Sequence, residues 1–246
     1  MSKEELITKA KAGDVDAMLQ LIPVLVNEEE FTDAMYWADK AAETGNMNAM
    51  YKAAHLHSLA MYAFKEKMIW GVMSTEAQAA QKNAALLVGA HRRGSINLND
   101  DVYSQMLSIL RDGLYYEAVF CYMSEPGDYN RVIHLLKDLD TTRERFLCGY
   151  ACFMVKQYDD AIEKLYAAYR DQAYLTSHKE LIEETIFVDA MRTLSAIERA
   201  TNGNFEKAMQ ILNQAINGVS DEEGKAFLRK ELARYQKKLF GGWKYV

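Results

Sequence analysis

Two cysteines and two histidines are the residues whose types and spacing come closest to a metal site. Cys148 and Cys152 are four residues apart, and a helix presents such a pair on one face, where both could bind one metal ion. They stand within the apolar segment FLCGYACFM, where a free cysteine behaves as a small apolar residue, so packing is the favoured interpretation. His55 and His57 are two residues apart and diverge on a helix. We therefore predict no metal site.

Catalytic and cofactor-binding motifs are the second kind of chemistry considered. The sequence contains no Gly-rich phosphate-binding loop, and its glycines stand at the ends of predicted helices instead. His134 and His178 have no acid, base or nucleophile pattern near them. We predict a chain with no catalytic residues and no cofactor. An enzyme or an enzyme subunit is therefore the least favoured class of function for this chain.

Aromatic side chains are abundant, with 15 tyrosines, nine phenylalanines and three tryptophans. At helical spacing such residues usually pack in a core, which is one interpretation here. The other is that some of the rings line a groove and contact a partner. The choice depends on the elements that position these rings.

The composition indicates that those elements are helices. Half of the 246 residues are hydrophobic and 26% are charged, as in ordinary globular proteins. Alanine, leucine, methionine, glutamate and lysine are frequent, and there are only two prolines, which favours helix. No run of alternating β-branched residues indicates a strand. We predict an all-α fold.

Charge and segment composition limit the partners and the location. The net charge is −6, divided into −12 over residues 1–224 and +6 over residues 225–246. An acidic body disfavours nucleic acid, and we interpret the basic C-terminal segment as a solvated helix face. The first residues lack an apolar signal segment, no run of 18 apolar residues occurs, and three cysteines are unlike a disulfide framework. We therefore expect a cytoplasmic protein without a membrane partner.

A nine-residue phrase that occurs twice organises the N-terminal part. AKAGDVDAM (10–18) and AETGNMNAM (42–50) share alanine, glycine, Asp/Asn and methionine in the same order, 32 residues apart. This predicts left-handed glycines at Gly13 and Gly45, after one helix ends, and helix N-caps at Asp16 and Asn48. A third, related pattern around Gly94 follows after an insertion of roughly a dozen residues, which we expect to lengthen the helices.

The positions of the other turn-forming residues predict about a dozen helices joined by short turns. A turn is expected at 71–74. DVYSQMLSILRDG and LYYEAVFCYMSEP are expected to pair as a helical hairpin closed by Pro126, with the break between its helices at Gly113. A long helix is predicted over about 179–202, and the last charged helix is predicted to end at LFGGWKYV. Short connections of this kind join antiparallel helix pairs.

One five-residue form recurs at the start of several helices: an aromatic residue, two polar residues, alanine and an apolar residue. We expect the alanine of this form to lie where two helices cross, because its small side chain lets them approach closely. The copies begin at Phe31, Tyr115, Tyr158 and Phe205, with the alanines at Ala34, Ala118, Ala161 and Ala208. This form resembles the second helix of tetratricopeptide repeats, and residues 142–175, with Gly149, Leu165 and Ala168, resemble one complete repeat. Residues 10–98 resemble the related Sel1-like repeats. Both resemblances imply an α-α superhelix that binds proteins or peptides and catalyses nothing itself.

We accordingly predict one helical-repeat domain over 1–246, a right-handed superhelix. It comprises Sel1-like repeats over 1–98, tetratricopeptide-like helix pairs over 99–220, and a capping helix and tail over 221–246. The predicted function is a protein–protein interaction scaffold that binds a protein or peptide in its concave groove. The alternative is a regulatory sensor for a short signalling peptide or small molecule. A homodimer formed through one end of the array is also compatible with this architecture.

The resemblance also selects candidate partner-binding residues. In the repeat register, Cys148, Gly149 and Cys152 face the partner helix, which places Phe146, Tyr150 and Phe153 on the concave side. The same register places Tyr51 and His55 there in an earlier repeat. We expect the three rings of 146–153 to form a partly exposed strip, suited to a peptide with apolar anchors and basic flanks.

Overall fold

The computed structural model describes residues 1–237 and 242–246, and within them the all-α prediction is confirmed. The described chain forms thirteen helices and two three-residue strands. In chain order these are α1 Lys3–Lys11, α2 Val15–Asn27, α3 Phe31–Glu43, α4 Met47–Glu66, α5 Trp70–Arg92, α6 Asp100–Met123, α7 Tyr129–Leu136, α8 Thr142–Met154, α9 Tyr158–Tyr169, α10 Gln172–Thr176, α11 Leu181–Thr201, α12 Phe205–Gly218, α13 Glu222–Leu232, β1 Tyr235–Lys237 and β2 Trp243–Tyr245.

The chain divides into two compact units, Met1–Phe120 and Cys121–Val246, which we call the N-terminal unit and the C-terminal unit. Within the N-terminal unit each of α1 to α4 packs against the helix that follows it. Within the C-terminal unit α8 pairs with α9, α11 with α12 and α12 with α13, and α8 also packs against α11. Consecutive pairing is the packing of helical repeats. A single repeat domain over 1–246 stays a prediction.

The repeated phrase forms the turns that its glycines predict, but its helices start earlier than expected. Gly13 and Gly45 have φ values of +92° and +85°, which confirms their left-handed conformation. The N-caps are Asp14 and Asn46, whose side chains accept from the backbone N–H of Ala17 at 3.0 Å and of Ala49 at 3.1 Å. The assignment to Asp16 and Asn48 is therefore wrong, because each helix restarts directly after the glycine and needs its cap there.

The insertion before Gly94 lengthens two helices, as predicted. Helices α2 and α3 have 13 residues each, whereas α4 has 20 and α5 has 23. Gly94 has a φ of +70° at the end of α5. The turn between α4 and α5 is not at 71–74 as expected: it contains Met68, with a φ of +56°, and Gly71 lies in the first turn of α5. Gly71 was interpreted as a turn residue, but glycine is also accepted in the first turn of a helix, so its presence alone does not locate the turn.

Gly113 does not form the predicted turn either, since α6 is one continuous helix from Asp100 to Met123. A Cβ atom at Gly113 would lie 2.9 Å from the carbonyl oxygen of Ala77 and 2.9 Å from Cβ of Gln81, both in α5. The glycine is therefore needed for the close approach of α5 and α6. This contact explains why a residue that disfavours helix lies in the interior of one.

Small residues lie at the helix contacts where the repeat pattern places them. Ala34, Ala161 and Ala208 are each 0% exposed. In the pair formed by α8 and α9, a Cβ atom at Gly149 would lie 2.8 Å from Cγ of Leu165, which is closer than two carbon atoms can approach. The helix pair predicted over 142–175 is therefore confirmed, and its closest contact depends on Gly149.

The C-terminal segment differs from its prediction. Helix α13 ends at Leu232, and Tyr235–Lys237 then pairs antiparallel with Trp243–Tyr245. The prediction of no strand and of a helix reaching LFGGWKYV is thus wrong for 233–237 and for 242–246, while residues 238–241 lie outside the described residues. Tyr235 fixes the hairpin, because its ring contacts Tyr245 at 5.1 Å and its hydroxyl lies 3.1 Å from that of Ser195.

Candidate functional site

The three rings predicted on α8 do not form one exposed strip. Phe146 is 1% exposed, and its ring contacts those of Tyr174 at 5.8 Å and Phe187 at 5.5 Å. Tyr150 is 7% exposed, and its ring meets Tyr122 and Tyr129 at 5.8 and 6.0 Å. The expected exposure is therefore wrong for Phe146 and Tyr150. Helices α7 and α11 pack against α8 and cover the face that was predicted to be open.

Phe153 is half-buried, and its ring contacts that of Tyr158 at 5.7 Å. One edge of the Phe153 ring is therefore accessible to a partner. The role of Phe153 in binding stays a prediction. It lies near the end of α8, beside the turn in which Lys156 has a φ of +67°.

Tyr51 and His55 lie one turn apart on α4 in the N-terminal unit. Tyr51 is half-buried, His55 is exposed, and their rings stack at 6.3 Å with an angle of 1° between the planes. The Tyr51 hydroxyl donates to Oε1 of Gln105 in α6 at 2.8 Å, which holds the ring between the two helices. The structure thus brings this predicted pair together at a surface, and its contact with a partner stays a prediction.

A groove between α11 and α13 is the site that the sequence did not reveal. It has a volume of about 440 Å³. Its described lining residues come from the first half of α11, the connection after α12 and the first half of α13: Leu181, Glu184, Thr185, Val188, Asp189, Val219, Asp221, Glu223, Gly224 and Phe227. We call it the α11–α13 groove.

Glu184 fixes the two walls of this groove relative to each other. Its carboxylate is buried and accepts from the backbone N–H of Ser220 at 2.7 Å and of Asp221 at 2.9 Å. Asp221 in turn caps α13 by accepting from the backbone N–H of Gly224 at 2.7 Å. The start of α13 is therefore attached to α11 by charge-assisted hydrogen bonds, which makes the groove a preformed feature.

Apolar side chains form the floor and the exposed edges of the groove. Val188 and Val219 are buried, whereas Leu181 is 56% exposed and Phe227 is 43% exposed. The guanidinium of Arg192 lies 5.3 Å from the ring centre of Phe227 and covers part of it. Large apolar residues exposed beside a concavity are typical of interaction sites.

The carboxylate of Asp189 also lines the groove. It accepts from the Tyr122 hydroxyl at 2.8 Å, and Arg192 lies 3.7 Å from it. Burial and the neighbouring Asp189 charge raise the pKa of Tyr122 far above its usual range, so this hydroxyl is a permanent donor. Tyr150 packs beneath Tyr122 and so supports the groove from inside the unit.

A second polar cluster lies in the N-terminal unit. His57, on α4, is buried, with Nδ1 lying 2.5 Å from Oε2 of Glu76 and Nε2 3.1 Å from the carboxylate of Asp39. Burial lowers the pKa of His57, but hydrogen bonds to Asp39 and Glu76 outweigh it and raise the pKa to about 9. Both ring nitrogens are thus engaged, which leaves none for a substrate. We assign the cluster to the attachment of α3 and α5 to α4.

Two further properties bear on the kind of site. Within residues 1–237 and 242–246, no group of three His, Cys, Asp or Glu side chains is placed to hold a metal ion, and Cys148 and Cys152 are buried free thiols. None of the helices in the described chain is both long and apolar enough to cross a membrane.

The α11–α13 groove escaped the sequence analysis because its walls come from separate helices, with 45 residues between Leu181 and Phe227. One signal was available. The helix EEGKAFLRKEL carries a single aromatic residue, Phe227, among charged neighbours, and only Leu228 is buried in it. An aromatic residue on such a polar helix face has no core to enter, so it marks a surface that contacts something else.

No protein-family model matches the sequence, and no curated protein matches it. Among solved structures the chain is similar to the crystal structure of YrrB, described as a TPR protein with an unusual peptide-binding site. The two chains are 16% identical with a TM-score of 0.47, over 94% of this chain and 98% of that chain. The fold assignment rests on the helices and contacts above. Within each unit consecutive helices pack against one another, which makes this an all-α fold built from helix pairs.

Proposed function

We propose that this chain is a non-catalytic binding protein that takes up a segment of a partner protein in the α11–α13 groove. The observation that carries this proposal is the exposure of Leu181 and Phe227 along a groove with a buried apolar floor. Burial of such side chains against a partner releases water from apolar surface and stabilises the complex. Its volume of about 440 Å³ lies within the range of about 300–1,000 Å³ that is typical of ligand sites.

The exposed edges of the groove support a peptide segment rather than an enclosed small molecule. A sensor for a small molecule requires a cavity that surrounds its ligand, whereas Leu181 and Phe227 leave about half of their surfaces open to solvent. A chain segment that crosses the groove can use these open edges and continue beyond them. The interaction scaffold is therefore our proposal over the sensor.

Three of the residues selected from the sequence belong to this proposal as additional contacts. Tyr51 and His55 present a stacked pair on the N-terminal unit, and Phe153 presents a half-buried ring on the C-terminal unit. Phe146 and Tyr150 have a supporting role only, because they are buried. We also propose that the protein is cytoplasmic and does not bind nucleic acid, for which its net charge of −6 is the supporting observation.

Site-specific photo-crosslinking tests the proposal. Phe227 is replaced by the photoreactive residue p-benzoylphenylalanine in the full chain, and Phe31, which is 51% exposed on the N-terminal unit, is replaced likewise as the matched control. We expect one partner protein to be crosslinked to the photoreactive residue at position 227 and not to the one at position 31. We also expect Leu181→Ala to reduce that capture severalfold, because it removes apolar surface from the opposite wall of the same groove.

Capture of the same proteins with equal yield from both positions, or no effect of Leu181→Ala, would contradict the proposal. Circular dichroism of each variant provides the folding control. Since both substituted side chains are largely exposed, we expect the helix content to be unchanged.

A further inference from the structure

We propose that the segment bound by the α11–α13 groove is cationic: an extended peptide in which a large apolar residue and a lysine or arginine are two positions apart. This inference rests on the proposed function and adds the chemistry of the ligand. The apolar side chain would contact Phe227 on α13, and the cation would pair with Glu223 on the same helix.

The described residues that line the groove include four carboxylates and no lysine, arginine or histidine: Glu184, Asp189, Asp221 and Glu223. The first three already accept hydrogen bonds from the backbone of 220–224 or from Tyr122. Glu223 is exposed and makes no hydrogen bond or ion pair with any described residue. It is therefore the carboxylate that is left to bind a ligand.

The cations near the groove have other partners and leave the Glu223 carboxylate without a counter-charge. The ammonium of Lys179 is buried and donates to the carbonyl oxygens of Ser177 at 3.0 Å and Gly218 at 3.3 Å. Lys225 pairs with Glu222 at 2.8 Å, outside the groove. Arg192 lies over the Phe227 ring and neutralises Asp189 only. The charge at the Glu223 end is thus available to a cationic ligand, and it would repel an acidic one.

The spacing of the two contacts on α13 gives the spacing in the ligand. Glu223 and Phe227 are separated by one helical turn, which places their Cβ atoms roughly 5–6 Å apart on one helix face. In an extended peptide, alternate side chains point to the same side and are about 6.5–7 Å apart. Positions i and i+2 of an extended ligand therefore match Phe227 and Glu223 without bending of either chain.

The test is a titration of the ¹⁵N-labelled full chain, followed by NMR, with three heptapeptides that differ only in their centres. The centres are Phe-Ser-Arg, Phe-Ser-Glu and Ala-Ser-Arg, each between Gly-Ser and Ser-Gly. We expect Phe-Ser-Arg to shift amide signals of α11 and α13 and to saturate. The other two should bind at least roughly fivefold more weakly, because each lacks one of the two contacts.

Two neighbouring glutamates provide a matched pair of variants. Glu223→Gln should weaken binding of the Phe-Ser-Arg peptide by roughly two- to fivefold, the effect of an exposed ion pair. Glu222→Gln should leave binding unchanged, because Glu222 is equally exposed but outside the groove. Phe227→Ala should weaken both phenylalanine-containing peptides.

The outcomes separate the ligand chemistry from the proposed function. Equal binding of Phe-Ser-Arg and Phe-Ser-Glu, with both weakened by Phe227→Ala, would overturn the cationic ligand and leave the groove as a binding site. If no peptide shifts these amides, the cationic ligand is overturned, and the crosslinking from position 227 decides the proposed function by itself. Concentration-dependent shifts of the same amides without peptide would identify a second copy of this chain as the occupant and would also overturn the inference.

Discussion

Among the described residues, the N-terminal and C-terminal units each bury one cationic side chain, and the two are stabilised in different ways. His57 in the N-terminal unit lies between the carboxylates of Asp39 and Glu76, so its charge is compensated by two opposite charges. Lys179 in the C-terminal unit donates instead to neutral carbonyl oxygens, those of Leu175, Ser177 and Gly218. Its ammonium also lies 4.4 Å from the ring centre of Phe187.

The difference shows two ways of attaching helices to one another. The His57 cluster joins three consecutive helices through side chains, in the part of the chain where the sequence repeats. Lys179 joins the backbone at the ends of α10 and α12, where a Cβ atom at Gly218 would lie 2.1 Å from the carbonyl oxygen of Leu175. Such a close backbone approach leaves carbonyl groups that need a donor, and the lysine provides it. Val219, the residue that follows Gly218 in the sequence, already lines the α11–α13 groove.

Removal of the lysine ammonium is the change with the largest expected effect. Lys179→Met keeps the apolar stem but leaves the three carbonyl oxygens without their donor, and we expect a loss of about 2–4 kcal/mol in the free energy of unfolding. Urea denaturation measures the loss, and hydrogen exchange should locate it in α10 to α12. Lys225→Met is the control, since that lysine makes one exposed ion pair and should change stability by less than about 1 kcal/mol.

If Lys179→Met and Lys225→Met are equally stable, water replaces the ammonium without cost and the contrast between the two units fails. Burial lowers the pKa of Lys179, as expected for a cation without a carboxylate in direct contact. Lys179→Met therefore removes three hydrogen bonds and the attraction of the ammonium to Glu184 and Glu183, but no direct ion pair.

Local patterns were sufficient to predict one part of this architecture. Gly13 and Gly45 follow a helix and precede a cap, and this is a signal within a few residues. The buried alanines Ala34 and Ala161 were predicted for the same reason, since a recurring five-residue form specifies where two helices cross. Turns and helix contacts that depend on neighbours in sequence can be predicted from the sequence alone.

Other features depend on residues far apart in the chain, and no local pattern contains them. Gly113 looks like a turn residue, and only the nearby carbonyl of Ala77 shows that it spaces two helices. The apolar helix α8 gave no indication of which elements cover Phe146 and Tyr150. The groove is the extreme case, since Glu184 holds the start of a helix that lies almost 40 residues later.

The pH dependence of stability tests the other side of the comparison. The pKa of His57 is raised to about 9 in the folded state, against about 6.5 in the unfolded chain. Below pH 6.5 both states bind the proton and the stabilisation is fully present. It declines as the pH rises from 6.5 and is lost above about 9, because only the folded state retains the proton in that interval. We expect a loss on the order of 2 kcal/mol in the N-terminal unit.

Urea denaturation between pH 6 and pH 10, with hydrogen exchange to distinguish the units, measures this loss. His57→Gln removes the titrating group, so its stability should lack this pH-dependent component while being lower than the wild type at pH 6. A wild-type profile that is flat over this interval, or a variant with the same slope, would show that folding does not raise the pKa of His57. The two buried cations would then not be comparable.

The smallest expected effect concerns a feature that the units share. Met68 in the N-terminal unit and Lys156 in the C-terminal unit have φ values of +56° and +67°, and each donates its backbone N–H to the carbonyl oxygen three residues earlier. Both side chains are exposed, so neither contributes to a core. Glycine adopts this conformation without strain, but it also makes the unfolded chain more flexible. For Met68→Gly and Lys156→Gly we therefore expect a net gain of about 0.5 kcal/mol each.

The opposite substitution calibrates this expectation. Gly45→Ala introduces a side chain at a φ of +85°, where a Cβ atom meets nothing within 4 Å, and should cost about 1 kcal/mol through backbone strain alone. Urea midpoints of the three variants can be compared directly. Equal gains at positions 68 and 156 would show that the units share their turn geometry and differ only in the way they bury a cation. A gain at Met68 with a loss at Lys156 would show instead that the side chain of Lys156 stabilises the C-terminal unit, and the comparison would then have to include the turns.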